Sequence, residues 1–250
     1  MELFQMTRRE MADLLLALKG AGPMTPATFL QGLWAKKNGG KDPHHPFAAA
    51  VMPPIFTKIL KKNTDDFGFS LNEIVALGSQ IENTNFTLTA IQNWVKRDIK
   101  EMIVAPEKGK KYSIDQMALL FLVEDLKTAL DFDSIRKLLQ LIVNDPEDEH
   151  DDLINPVQLY ATYSQLFEEL NSMREVGRFP AEKHEHMISA MEGMVTEKAE
   201  EMISKYISPD DPKKEAIRNT IVIATLSVFT AYFQMLARRY LTATIFLQNM

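Results

Sequence analysis

Apolar residues recur at helical spacing through most of the 250-residue chain, capping-box motifs open several of those stretches, and one short run alone reads as strand. Together these predict a mainly α fold: a winged helix-turn-helix domain with a small β-hairpin wing, then a C-terminal helical bundle. The expected divisions are an N-terminal helix and Pro/Gly-rich arm at 1–54, the winged domain at 55–145, an acidic linker at 146–155 and a helical dimerisation or sensing region at 156–250.

Elements follow in chain order. Thr7-Arg-Arg-Glu10 has the T-x-x-E form of a capping box, and Met11, Leu14, Leu15 and Leu18 continue at helical spacing up to Gly20, predicting a helix over about 7–19. Between 20 and 54 fall 6 of the 12 prolines and 5 of the 10 glycines, so this segment is expected to be an irregular arm held down by Phe29, Leu33 and Trp34. Ser70-Leu-Asn-Glu73 is a second capping box, and Leu71, Ile74, Val75 and Ile81 give its helix one apolar side. Residues 82–85 read as a turn, Phe86 as a staple and Thr87 as the N-cap of a second helix. That helix has Leu88, Ile91, Val95 and Ile99 on its apolar side and Thr89, Asn93, Lys96 and Lys100 opposite. The run 102–112 suits a β-hairpin whose tip, 106–109, lies in a lysine-rich stretch.

Ser113-Ile-Asp-Gln116 opens a helix to about Leu130 that is apolar all round in its middle. Asp131 or Asp133 can cap the next, with Ile135, Leu138, Leu139 and Ile142 as its stripe. Six acids and a proline in the nine residues 144–152 read as a solvated linker. Three helices follow: one over 156–172, one carrying the stripe from Met187 and Ile188 to Ile203 and Tyr206, and one from Asp211-Pro212 to the end of the chain.

Composition narrows the function. At 46% hydrophobic and 25% charged the chain has a core to bury. With 28 Lys+Arg against 34 Asp+Glu, net −6, it is no generally basic nucleic-acid coat, so any nucleic-acid surface must be local. The absence of cysteine removes disulfides, thiol nucleophiles, iron-sulfur clusters and Cys-containing zinc sites, and fits a reducing cytoplasm. The apolar run Leu14-Leu-Leu-Ala-Leu18 follows Asp13 and is too short for a signal peptide, so no export signal is expected.

Positive charge concentrates at 86–112, where six Lys or Arg meet three acids, +3 inside a chain of −6. The order there is capped helix, turn, second helix with a polar and basic outer side, then basic-tipped hairpin, which is the plan of a winged helix-turn-helix. Thr89, Gln92 and Asn93 are expected at base edges, and Lys96, Arg97, Lys100, Lys108, Lys110 and Lys111 at phosphates. Thr87 at the head of the helix and Tyr112 at the end of the wing complete the candidate contact set. The competing reading is a solvated helix face beside a basic turn.

Thr89-Ala-Ile-Gln-Asn-Trp-Val-Lys96, Gly109-Lys-Lys-Tyr112, and Leu130-Asp-Phe-Asp-Ser-Ile135 followed by Leu138-Leu139 resemble the MerR-like helix-turn-helix family in order and spacing. More closely, residues 54–160 resemble a set of bacterial MerR-like proteins known only as a domain of unknown function. Segments of that set written T-x-x-x-I-N-N-Y-V-K, P-x-K-K-Y-S and L-K-x-V-L-S-L are echoed here from Thr87 to Lys96, Pro106 to Ser113 and Leu126 to Phe132. The resemblance implies a DNA-binding transcriptional regulator. This chain departs from it with Gln92 and Trp94 where many MerR-like proteins carry arginine and tyrosine, and with an acidic linker and three helices in place of one long dimerisation helix.

The remaining features point to no chemistry. Residues 219–237 carry no charge over 19 positions, close to a membrane span, but threonines, Ser227 and Gln234 interrupt them and arginines flank both ends. A buried or subunit-interface helix is expected instead, and a membrane association is not. His184 and His186 would point apart on a helix and match no H-E-x-x-H pattern, so neither they nor His44, His45 and His150 are expected to hold metal. The methionine stripe of the second C-terminal helix reads as core. No nucleotide loop, G-x-S-x-G elbow or paired carboxylates occur, so no catalytic residue and no cofactor is expected. The sequence thus predicts a cytoplasmic, non-enzymatic regulator that binds double-stranded DNA as a homodimer and leaves room for a small-molecule or protein effector. The alternative is a helical interaction or membrane-tethered module with the same fold and no DNA binding.

Overall fold

The computed structural model describes residues 4–37, 52–61, 68–104, 111–146, 148, 151–175 and 187–248. It is mainly α: ten α-helices and one π turn among the described residues, with no strand beyond two isolated bridges. The chain divides into two compact units, Met1–Phe121 with Pro156–Ala161, and Leu122–Asn155 with Thr162–Met250.

The first unit begins with α1 (Arg8–Leu18), whose capping box forms as the motif requires: the Glu10 amide donates to Thr7 Oγ1 at 3.1 Å and the Thr7 amide to Glu10 Oε2 at 2.9 Å. Its apolar residues Met11, Leu14 and Leu15 are fully buried. The expected irregular arm is corrected over 26–37, because Thr25 caps and Pro26 opens a second helix, α2 (Pro26–Lys37). Proline at a first helical position loses no hydrogen bond, so proline density alone did not mark a loop here. Leu30, Leu33 and Trp34 are buried as anchors, and the Phe4 ring stacks on Trp34 at 5.5 Å and meets Phe56 edge-on at 5.3 Å. Phe56 belongs to α3 (Pro54–Lys61), which packs on α2 and on α4 (Leu71–Gly78). Residues 38–51, the rest of the expected arm, lie outside the described residues.

A capping box, Ser70 with Glu73, starts α4, and Thr87 starts α5 (Leu88–Asn93). A π turn, Trp94–Asp98, extends α5. Among the described residues of the expected β-hairpin, 102–104 and 111–112, no pairing within the run is present. Tyr112 pairs antiparallel with Phe69, through bonds of 2.7 and 2.9 Å, and Met102 and Ile103 are buried in a turn. The hairpin reading assumed that neighbouring runs pair with each other, whereas Tyr112 takes its partner from the segment entering α4. The expected tip, 106–109, lies outside the described residues.

In α6 (Ile114–Leu126) the Ser113–Gln116 box forms in both directions, and every residue from Met117 to Val123 is buried, as an all-apolar helix demands. Two acids are buried in the second unit with partners: Glu124 bonds Lys127 at 2.6 Å and Asp125 accepts from the Tyr163 hydroxyl at 2.8 Å. In the same unit, α7 (Phe132–Ile142) buries Ile135, Leu138, Leu139 and Ile142, the predicted stripe. The acidic stretch folds back on itself, with Asn144 donating to Asp151 at 2.6 Å and the Leu153 amide to the Ile142 carbonyl at 2.8 Å.

The three C-terminal helices are α8 (Pro156–Glu175), α9 (Met187–Ile203) and α10 (Lys214–Gln248). The predicted α9 stripe is buried over its second half, at Val195, Ala199, Met202 and Ile203, while Ile188 is 77% exposed. Helix α10 buries Ile217, Ile221, Ala224, Val228 and Phe229, and Phe229 meets Phe167 at 4.8 Å. The buried Thr220, Thr225 and Ser227 each donate to a carbonyl four residues back at 2.8 Å, which satisfies their hydroxyls within the helix.

Candidate nucleic-acid interface

The interface grows from local sequence. Gly78 ends α4 where the ring of Phe86 crosses it so closely that a Cβ would sit 2.6 Å from a ring carbon. The connection to α5, residues 79–87, is longer than the three or four residues of the shortest helix-turn-helix turns. Internal bonds fix it: Thr84 Oγ1 lies 2.9 Å from the carbonyls of both Gly78 and Ile81, and Asn83 takes the left-handed conformation, φ 58°, that asparagine tolerates. The N-terminal segment then latches this turn. Met6 pairs with it through bonds of 2.7 and 2.9 Å to Gln80 and Glu82, and the buried Arg8 donates to the Glu82 carbonyl at 3.3 Å. Sequence periodicity gave no sign of the latch, because it joins residues more than seventy positions apart.

Helix α5 and the π turn carry the candidate side chains. An α period puts Leu88, Ile91, Val95 and Ile99 on the inner side, spaced three, four and four. The buried residues are instead Ile91, Trp94 and Ile99, spaced three and five, because the Ile99 amide bonds the Trp94 carbonyl in a π turn at 2.9 Å. Trp94 is therefore core, and Leu88 and Val95 are half-exposed. Such turns widen a helix locally and recur at functional sites.

Thr89, Asn93, Lys96, Arg97 and Lys100 are exposed, and Gln92 is half-exposed. Thr87 is exposed but its hydroxyl is engaged as the N-cap, accepting from the Ala90 amide at 3.2 Å. Arg97 bonds Asp98 at 2.8 Å, and this hydrogen bond and the adjacent negative charge push the guanidinium pKa up. That pairing was missed from the sequence, although Asp98 is the next residue. Lys111 is exposed beside Gly68, while Tyr112 is buried and its phenol is pushed up by that burial, so its ring supports the fold from within. Lys108 and Lys110 lie outside the described residues. Of the described residues on either side, Val104 accepts at its carbonyl from Gln116 at 2.9 Å and Tyr112 pairs with Phe69.

Chemically, this surface offers small hydrogen-bonding groups flanked by cations, the combination that meets base edges and phosphates. Among the described residues no cluster of three His, Asp or Glu is placed to hold a metal, and all five histidines lie outside them.

Residues 64–163 match the family described as "Domain of unknown function (DUF1836)", a stretch that holds α4 to α7 and the start of α8. The chain is 35% identical to the "Uncharacterized protein YkrK" of Bacillus subtilis (strain 168) over 246 residues, 98% of this chain and 100% of that relative, and belongs to the same family as that protein. No solved structure matches it.

Proposed function

We propose that this protein is a sequence-specific DNA-binding transcriptional regulator of the MerR-like helix-turn-helix kind, acting in the cytoplasm by occupying a promoter and not by catalysis. The observation that carries the reading is the split of one short element into two jobs. Ile91, Trp94 and Ile99 anchor it in the core, while Thr89, Asn93, Lys96 and Lys100 stand exposed on its outside. The basic segment 105–111, between Val104 and Tyr112, serves as the wing, reaching a neighbouring phosphate strand. A homodimer suits this role, since two modules on paired half-sites raise affinity without new base contacts.

Selection of the purified full chain against a random double-stranded DNA library tests the reading. Enrichment of one preferred sequence, bound far more tightly than bulk DNA at physiological salt, is expected. Recovery of no preferred sequence would sink it and favour the second reading, a helical interaction module without DNA binding. That alternative is supported by the exposed apolar end of α10, where Tyr240 and Leu247 are 73% and 71% exposed.

A further inference from the structure

Helix α10 changes character along its length. It has 35 residues, about 52 Å at 1.5 Å per residue. Up to Phe229 its inner side is buried, but Phe233, Tyr240, Leu241, Ile245, Phe246 and Leu247 are between 45% and 73% exposed. Glu200 of α9 bonds Lys214 at 2.5 Å and approaches Arg218 at 3.9 Å, so the two helices lie side by side there. Twelve residues earlier in α9, Ile188 stands level with about residue 228 of α10 at the same rise per residue. The last twenty or so residues of α10 therefore run on past the beginning of α9, about 30 Å of helix.

Phe233, Leu236, Tyr240, Ala243 and Leu247 follow one another at spacings of three, four, three and four, an unbroken heptad seam. Arg238 and Arg239 fall off it. Aromatic side chains bury about 150–250 Å² each, so the exposed residues of this end leave several hundred Å² of apolar surface per chain in water. Two copies together reach the scale of a stable interface, roughly 1,200 Å² or more.

We propose that two copies of this chain pair antiparallel along the C-terminal half of α10, with the tip of each helix seated on the partner's α9–α10 hairpin. Side-chain size selects this direction. A pairing centred near residue 238 sets Phe233 against the small Ala243 and Leu236 against Tyr240, large facing small, whereas a parallel pair stacks Phe on Phe and leaves Ala facing Ala. The same pairing brings Phe246 and Leu247 beside the start of the partner's α9, where Ile188 is 77% exposed and Met191 and Met194 are half-exposed. It thus covers both exposed apolar areas in one isologous, closed contact. A membrane fits less well: α10 is long and apolar enough to cross one, but its buried first half is already used inside the fold. The interface uses only the end of the uncharged run 219–237, at Phe233 and Leu236, because the inner side of the rest is spent within one chain.

This inference deepens the dimer part of the proposed function and stands apart from its DNA part, because library selection reads α5 whether one or two copies are present. The test uses the full chain without detergent. Light scattering at micromolar concentration should give a dimer, and Tyr240→Glu, Leu247→Glu and Ile188→Glu should each weaken it by about tenfold or more while helix content and melting hold. The cysteine-free chain permits a second readout: Ile188→Cys combined with Leu247→Cys should cross-link two chains on oxidation, and neither substitution alone should. A wild-type monomer, protein recovered only from membranes, a dimer untouched by these variants, or cross-linking by Leu247→Cys alone would each overturn the arrangement.

Discussion

The amide of Ile99 bonds the carbonyl of Trp94, five residues back instead of four, at 2.9 Å. This bond lets two large apolar groups reach the core while Lys96 and Arg97 between them stay in solvent. Deleting Val95 would convert the pair to α spacing, and Lys96, Arg97 and Asp98 would then each shift around the helix relative to Trp94. The expected result is a folded protein, by circular dichroism and melting, whose affinity for its selected DNA falls about tenfold or more, 1.4 kcal/mol. Undiminished affinity would separate the π turn from DNA recognition.

The contact of Gly78 with Phe86 predicts a stability defect from adding a single methyl. Alanine favours helix over glycine by about 1 kcal/mol, but a Cβ 2.6 Å from a ring carbon forces Phe86 off its edge-on contact with Phe121. Gly78→Ala should therefore cost roughly 1–3 kcal/mol, lowering Tm by about 2–4 °C per kcal/mol in a chain of this size. Adding Phe86→Leu should recover part of that loss. Additive melting shifts in the double-mutant cycle would refute the clash.

What was legible in the sequence is what local chemistry decides. The boxes of Thr7 with Glu10, Ser70 with Glu73 and Ser113 with Gln116 close within three residues, and each forms. The α7 stripe needs only the α period. Features that need a partner elsewhere were not legible: the Met6 latch on Ile81, and the pairing of Tyr112 with Phe69 in place of a hairpin neighbour. The π turn was hidden because an α template places Val95, not Trp94, inside. Of the candidate site, the outward side of α5 was readable, but the Asp98 partner of Arg97 and the burial of Tyr112 were not. In α10 both halves are apolar, so no pattern told the buried half from the exposed one.

Asp131 accepts from the Ser134 amide at 2.8 Å and caps α7, and that hydrogen bond holds its carboxyl below the usual carboxylate range. The folded state thus binds this proton less tightly than the unfolded chain does. Its contribution is complete above the unfolded chain's pKa and is lost as pH falls through the lowered folded value. An acid melt followed by circular dichroism should show Asp131→Asn, which caps without ionising, losing stability less steeply than wild type at the acid end. Parallel curves would show that the cap does not contribute to the acid limb.

The cations beside α5 differ in what they are free to do, and this orders the last prediction. Lys96, Lys100 and Lys111 are exposed, whereas Arg97 is held by Asp98 at 2.8 Å. If the surface meets phosphates, Lys96→Ala, Lys100→Ala and Lys111→Ala should each weaken binding to all DNA alike and flatten the log K against log salt slope by about one unit. Asp98→Asn should do the reverse, since it releases the Arg97 charge, and steepen the slope. Thr89→Ala and Asn93→Ala should leave the slope alone and relax the preferred sequence, each at a cost of about 1–3 kcal/mol of discrimination. Binding measured from low to physiological salt on selected and scrambled DNA separates the two groups. A slope unmoved by the lysine variants would remove the surface from the phosphates, and an unchanged sequence preference in both polar variants would remove it from the bases.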